Sequence, residues 1–255
     1  MADIDLKIEG LKKHFGGVRA VDGISVHVQG NELIGLIGPN GSGKTTTINT
    51  INGLLNPTAG KIIFQGERIE HMPSYQRARR GLGRTFQVTR VFQRMSVTQN
   101  LMVPALALSK GSRSEVEKRA HEVMAFLTIE RLADENAQNL SGGQQKLLEL
   151  GRVLMLDPDV IFLDEPFAGV HPELSKQIHK YIRKVHQDGK AFIIVSHDMD
   201  TIFGLSERVI VMNEGKKIAD GDPEAVRTDE AVIDAYLGEA SEKAQLEGVS
   251  VAEGN

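Results

Sequence analysis

Nine residues limit what this chain can fold into more than any others. Gly38-Pro39-Asn40-Gly41-Ser42-Gly43-Lys44-Thr45-Thr46 follows G-x-x-x-x-G-K-[ST], the pattern of a loop that wraps phosphate groups. The segment before it, Glu32-Leu-Ile-Gly-Leu-Ile-Gly38, reads as a buried strand. After it, Ile48, Ile51, Leu54 and Leu55 recur at helical spacing. Strand, glycine loop and helix are the setting the pattern requires. Glycines let successive backbone N–H groups curl around one anion, and the helix start adds its positive dipole end. In that setting Lys44 is expected on the β- and γ-phosphates, and the Thr45 hydroxyl on Mg²⁺.

The rest of the chain alternates strands and helices. Gly pairs and Gly-containing dipeptides at 16–17, 22–23 and 30–31 predict short antiparallel strands over 4–37, and Gln65-Gly66 predicts another pair over 61–70. From Ser96 to about Leu156 the pattern is helical. Ser96 with Gln99 and Ser141 with Gln144 form capping boxes, and Pro104 is expected to kink or end the first helix. Val116, Ala120, Val123, Met124 and Leu127 make one apolar face. Buried strands then follow at Val160–Leu163 and Ala191–Val195, with a helix over 173–187 between them. A hairpin over 208–218 and a helix near 224–237 close the pattern. The expected fold is a doubly wound α/β core with antiparallel strands beside it and a helical insertion. A single domain over 4–238 accounts for the pattern, with the insertion at about 88–156 and a small, polar, acidic tail over 239–255 expected to be disordered.

Composition removes several alternatives. There is no cysteine, so disulfides and thiolate metal sites are excluded. A net charge of −4 does not favour nucleic acid as a partner. No apolar run approaches the roughly twenty residues that span a bilayer, and the first residues lack signal-peptide character. A soluble chain is expected, reaching a membrane only through a partner.

Two further motifs carry chemistry. Val160-Ile-Phe-Leu163 delivers Asp164 and Glu165 to the carboxyl edge of the sheet, where the phosphate loop also lies. Asp164 is assigned to Mg²⁺ through a coordinated water, and Glu165 to polarising the attacking water. In Leu140-Ser141-Gly142-Gly143-Gln144, Ser141 caps a helix whose glycines leave the N–H groups bare, which makes a second anion-binding helix start.

This last motif matches the signature of ATP-binding-cassette (ABC) ATPases, and the order of the three motifs matches too. The resemblance covers roughly residues 4 to 238. It implies a P-loop (RecA-like) core sheet with an antiparallel β subdomain and an inserted helical subdomain. It also implies ATP hydrolysis with ATP and Mg²⁺ bound, in a head-to-tail homodimer or heterodimer with a second ABC ATPase. There, Ser141, Gly142, Gly143 and Gln144 of one chain would close over the ATP of the other. Phe15 resembles the aromatic that stacks on adenine, against a competing reading as a core phenylalanine, and Val21 would add an apolar adenine contact. Gln87 resembles the glutamine that links Mg²⁺ and water to the membrane partner. His197 resembles the γ-phosphate sensor, against a structural role. One departure is His171, which stands where the family has Asp or Asn in a loop that crosses to the other subunit. A histidine there would make closure pH-sensitive near its roughly 6.5 reference pKa.

Between His71 and Ser114 there are eight basic residues and no acid. In the family this region meets the permease, so these cations either face a membrane partner or lipid, or pair within the chain. Arg84-Thr-Phe-Gln-Val88, Met95–Leu101 and Ala235–Glu239 resemble the ATPases of branched-chain amino acid uptake systems. Pro166–Val170 also resembles the lipopolysaccharide-export ATPase, and urea and amide uptake ATPases are similar. The resemblance implies a peripheral protein on the cytoplasmic face of the cell membrane, bound to integral permease subunits and served indirectly by an extracytoplasmic substrate-binding protein, with no nucleic acid. A soluble cassette of the DNA-repair type would need a longer insert, and a translation type a second phosphate loop. A non-hydrolysing regulatory module is disfavoured by Lys44, Asp164, Glu165 and His197.

Overall fold

Two sheets share one apolar layer, and the strand pattern explains why. The structure, a computed structural model, describes residues 4–85 and 90–236. The first sheet is antiparallel, in the order β2-β1-β4-β5. It is built from β1 (Asp5–Phe15), β2 (Val18–Gln29), β4 (Ala59–Phe64) and β5 (Glu67–Arg68). The second, in the order β10-β9-β3-β8-β7-β6, holds β3 (Leu33–Ile37), β6 (Leu82–Arg84), β7 (Val160–Asp164), β8 (Ala191–Val195), β9 (Arg208–Asn213) and β10 (Lys216–Gly221). Its pairs are parallel except β9 with β10.

Alternation along the central strands sorts side chains onto the two faces. Ile34, Leu36, Val160, Phe162, Ile193 and Val195 face the antiparallel sheet in one buried cluster. Leu33, Ile37, Ile161, Leu163, Phe192 and Ile194 face the other way and pack with the helices. These helices are α3 (Val97–Ala107), α4 (Arg113–Phe126), α5 (Gly142–Leu154), α6 (Pro172–Gln187) and α7 (Met199–Leu205). Helices α3 to α5 lie between β6 and β7 in the chain, as an insertion into the parallel sheet. The helix α1 (Lys44–Ile51) follows β3, α2 (Ser74–Arg79) precedes β6, and α8 (Pro223–Arg227) follows β10. Val116, Ala120, Val123, Met124 and Leu127 are all buried, as their spacing predicts.

Three local expectations are corrected. Asp22-Gly23 is not a turn. It lies inside a twelve-residue strand, where the register with β1 shifts at Leu11 and Lys12, so the glycine marks an irregularity in one long strand. Of the two outcomes expected at Pro104, a kink or an end, the end is ruled out, since α3 runs on to Ala107. A proline removes one helical hydrogen bond, and packing of Leu101, Met102 and Ala105 into the core holds the helix across it. The helix expected over 224–237 is interrupted at Thr228-Asp229. Asp229 restarts it by accepting from the backbone N–H groups of Ala231 and Val232. The tail from 239 lies outside the described residues.

Candidate functional site

The strand order decides what can meet. Neighbours β3, β8 and β7 run parallel, so their carboxyl ends share one edge, and Asp164 stands directly opposite Val195 in register. The phosphate loop leaves β3, His197 follows β8, and Asp164 and Glu165 end β7. Residues far apart in sequence thus become neighbours through topology alone.

Between β3 and α1 the loop is held open by glycine. Gly43 has φ 100°, and a Cβ there would sit 2.2 Å from the Ala20 carbonyl oxygen. The Lys44 ammonium donates to the carbonyls of Gly38 (2.7 Å) and Pro39 (2.8 Å) and to the Ser42 hydroxyl (3.3 Å). Ser42 is buried and Thr45 is exposed. A cavity of about 200 Å³ opens here. Its walls include Asn40, Gly41, Lys44, Thr45, Thr46, Glu165 and His197.

Asp164 and Glu165 are adjacent but live in different surroundings. Asp164 is almost wholly buried, and its Oδ1 has no hydrogen-bond partner. Its Oδ2 lies 3.7 Å from the Arg84 guanidinium, which also donates to the Asn49 side chain on α1 at 2.6 Å. Burial pushes the Asp164 carboxyl above its usual range, with Glu165 adding to the effect and Arg84 and Lys44 opposing it. A buried carboxylate oxygen with nothing to accept is the atom a cation would use. Glu165 takes a left-handed backbone (φ 52°) and turns its carboxylate to His197, whose Nδ1 lies 2.9 Å from Oε2. His197 stays largely exposed. The sheet edge therefore pairs a carboxylate with an imidazole at the mouth of the phosphate cavity.

Ser141 caps α5 with a full box. Its hydroxyl accepts from the Gln144 N–H (3.3 Å), and its own N–H donates to the Gln144 side chain (2.9 Å). Ser141 and Gln144 border a separate cavity of about 370 Å³, which shares no lining residue with the phosphate cavity. Within one chain the starts of α1 and α5 do not converge on one cavity.

The remaining expectations divide. Phe15 is half exposed at the end of β1, with Lys13 Nζ 4.9 Å from its ring centre, so it is not a core phenylalanine. Val21 is corrected: its side chain is wholly buried between the sheets and offers no surface to a base. Strand alternation turns its neighbour Ala20 to the cavity instead, a lining residue the sequence reading missed. Gln87 lies outside the described residues. His171 caps α6, its Nδ1 accepting from the Glu173 N–H at 3.4 Å. Within the basic stretch, several cations turn inward. Arg77 is buried and donates to backbone carbonyls of Thr50, Ile51, Glu70 and Met72, while Arg80 pairs with Glu67 at 2.7 Å. Lys146 was also missed. It joins α5 to the loop after Glu165, and no local pattern marks it.

Comparison with known proteins fits this geometry. The profile of the ABC transporter family matches residues 21–168, more than half of the chain. The chain is an ABC transporter ATP-binding cassette. A second profile, for branched-chain amino acid ATP-binding cassette transporters, matches residues 216–242 of the cassette. The high-affinity branched-chain amino acid transport ATP-binding protein BraF of Pseudomonas aeruginosa is 35% identical over 251 residues, covering 92% of the cassette and 98% of BraF. LivG of Escherichia coli, with the same described role, is 36% identical over 250 residues, at 92% and 98% coverage. The lipopolysaccharide export ATP-binding protein LptB of Escherichia coli is 38% identical over 234 residues, at 92% and 97%. Among solved structures, the ADP conformation of the cassette MJ1267 superposes with TM-score 0.82 at 32% identity, over 92% of this cassette and 99% of that one. ABC cassettes hydrolyse ATP to drive transport, and one structural neighbour is a dimeric cassette bound to ADP and Pi (TM-score 0.78, 26% identity, 86% and 98% coverage). Among the described residues of the cassette, no helix is long and apolar enough to cross a membrane.

Proposed function

We propose that this cassette is the ATP-hydrolysing subunit of an importer for branched-chain or related amino acids. It would act as a dimer on the cytoplasmic face of permease subunits, which an extracytoplasmic binding protein supplies with cargo. The observation that carries the hydrolytic reading is the Glu165–His197 pair, 2.9 Å apart beside the Lys44 cavity. The cargo reading rests on BraF, LivG and the profile match at 216–242.

The residues divide the work of converting ATP and water to ADP and phosphate. Loop N–H groups and Lys44 hold the phosphates, and Phe15 with Ala20 borders the place for the base. Glu165 orients and polarises the water, while His197 holds Glu165 and senses the γ-phosphate. The Thr45 hydroxyl, Asp164 through a water, and Gln87 would hold Mg²⁺. The unpartnered Asp164 Oδ1 suits it. When bound, Mg²⁺ neutralises charge on the phosphate oxygens. Ser141, Gly142, Gly143 and Gln144 would complete the partner's site.

A groove of about 610 Å³ supports permease docking. Tyr75, Arg90, Phe92, Pro104 and Arg152 are among its walls, next to the chain positions that flank Gln87. Its exposed aromatics suit a short amphipathic segment of a membrane partner. Co-purified with its membrane proteins in liposomes, the cassette is expected to drive ATP-dependent uptake of labelled leucine. Extraction of lipopolysaccharide without any amino acid uptake would instead favour the role held by LptB.

A further inference from the structure

Helix α5 carries the signature at its first turn and is fastened to the loop that carries Glu165 in the same chain. Gly143 packs against the α6 residue Leu174, whose Cδ2 would lie 2.3 Å from a Cβ there, so α5 sits close on the helix that follows this loop. One turn further on, the part-buried Lys146 ammonium donates to the carbonyl of Glu165 at 3.2 Å and to the carbonyl of Ala168. Glu165 also holds its strained left-handed backbone through its N–H, which donates to the Val195 carbonyl at 2.9 Å. The backbone of Glu165 is thus pinned on one side by β8 and on the other by Lys146.

We propose that Lys146 is a positioning residue that couples the two ATP sites of the dimer. The signature of a chain meets the partner's ATP, while Glu165 of that chain serves its own. A displacement of α5 caused by closure on one site is passed by Lys146 to the Glu165 carbonyl in the other. A lysine is suited to the task because its three donors can hold two carbonyls at once, which a neutral apolar side chain of equal length cannot. The inference rests on Glu165 as the base.

The test compares Lys146→Met, Lys146→Arg and Glu165→Gln in the full-length protein. Lys146→Met is expected to lower kcat by about tenfold or more while the Kd for MgATP stays within about twofold. Its Hill coefficient for ATP should fall from near the two-site value toward about 1. Lys146→Arg, which keeps the donors, should recover most of both. Turnover and cooperativity of Lys146→Met at the parent level would overturn the coupling. So would an equal loss in Met and Arg variants accompanied by a lowered melting temperature, which marks a merely structural lysine. Glu165→Gln separates the two claims. If it keeps full turnover, the base assignment fails. If it is inactive while Lys146→Met is unaffected, only the coupling fails.

Discussion

Lys44 and Glu165 line the same cavity and in the proposed function serve different tasks, the phosphates and the attacking water, so their substitutions should separate binding from chemistry. Glu165→Gln keeps the size and the His197 neighbour but removes the proposed base. It is expected to slow hydrolysis by about 10²–10⁴ with MgATP binding intact, measured as single-turnover rate against equilibrium binding. Lys44→Ala removes the charge held at the loop mouth and should instead lose nucleotide affinity, seen by titration with a fluorescent ATP analogue. A third residue governs pH. His179 stacks edge-on against Phe167 at 4.5 Å, and its Nε2 is buried without a partner. Burial lowers its pKa, Arg183 lowers it further and Asp198 opposes. The unfolded chain therefore binds this proton more readily than the folded one. The stability it contributes is present above about pH 6.5 and is lost as pH falls through the lower folded value. Urea midpoints between pH 7 and pH 5 should fall less steeply in His179→Phe. Lys44, Asp164 and Glu165 were legible in sequence because each sits in a local pattern. Lys146 and His179 were not, because their partners arrive from other elements.

Element by element, the sequence was readable wherever one periodicity ran unopposed. The buried strands β3, β7 and β8, the capped starts of α3 and α5 and the closing hairpin fall where their patterns put them. Local signals misled where tertiary packing outweighed them. Gly23 marked a register shift within a strand, and Pro104 was carried inside a packed helix. The basic stretch left an outward-facing and an inward reading open, and packing turns Arg77 from α2 inward: it is buried, its pKa pulled down to about 10 chiefly by desolvation, with Glu70 opposing. It ties α2 to the end of α1 and to the residues after β5 through four backbone carbonyls. Arg77→Met should leave those acceptors unsatisfied and cost on the order of 3 kcal/mol in urea unfolding. A loss within about 0.5 kcal/mol, the range of an ordinary surface change, would show that water replaces the guanidinium there.

At the scale of the whole molecule, the starts of α1 and α5 open into separate cavities, so in the proposed function one chain holds half of each site. In that reading the γ-phosphate is the bridge between two chains, and its removal releases them. Blocking hydrolysis while sparing binding should therefore trap the closed pair. With MgATP, Glu165→Gln is expected to elute from a sizing column at twice the mass of the same protein with ADP, whereas Lys44→Ala remains monomeric with either nucleotide. Adding Ser141→Arg to Glu165→Gln should abolish the shift while each monomer still binds ATP, because the bulky cation blocks the helix start that the partner's phosphate must reach. A dimer that persists in that double variant would mean the chains associate through another surface and that the signature is not the closing contact.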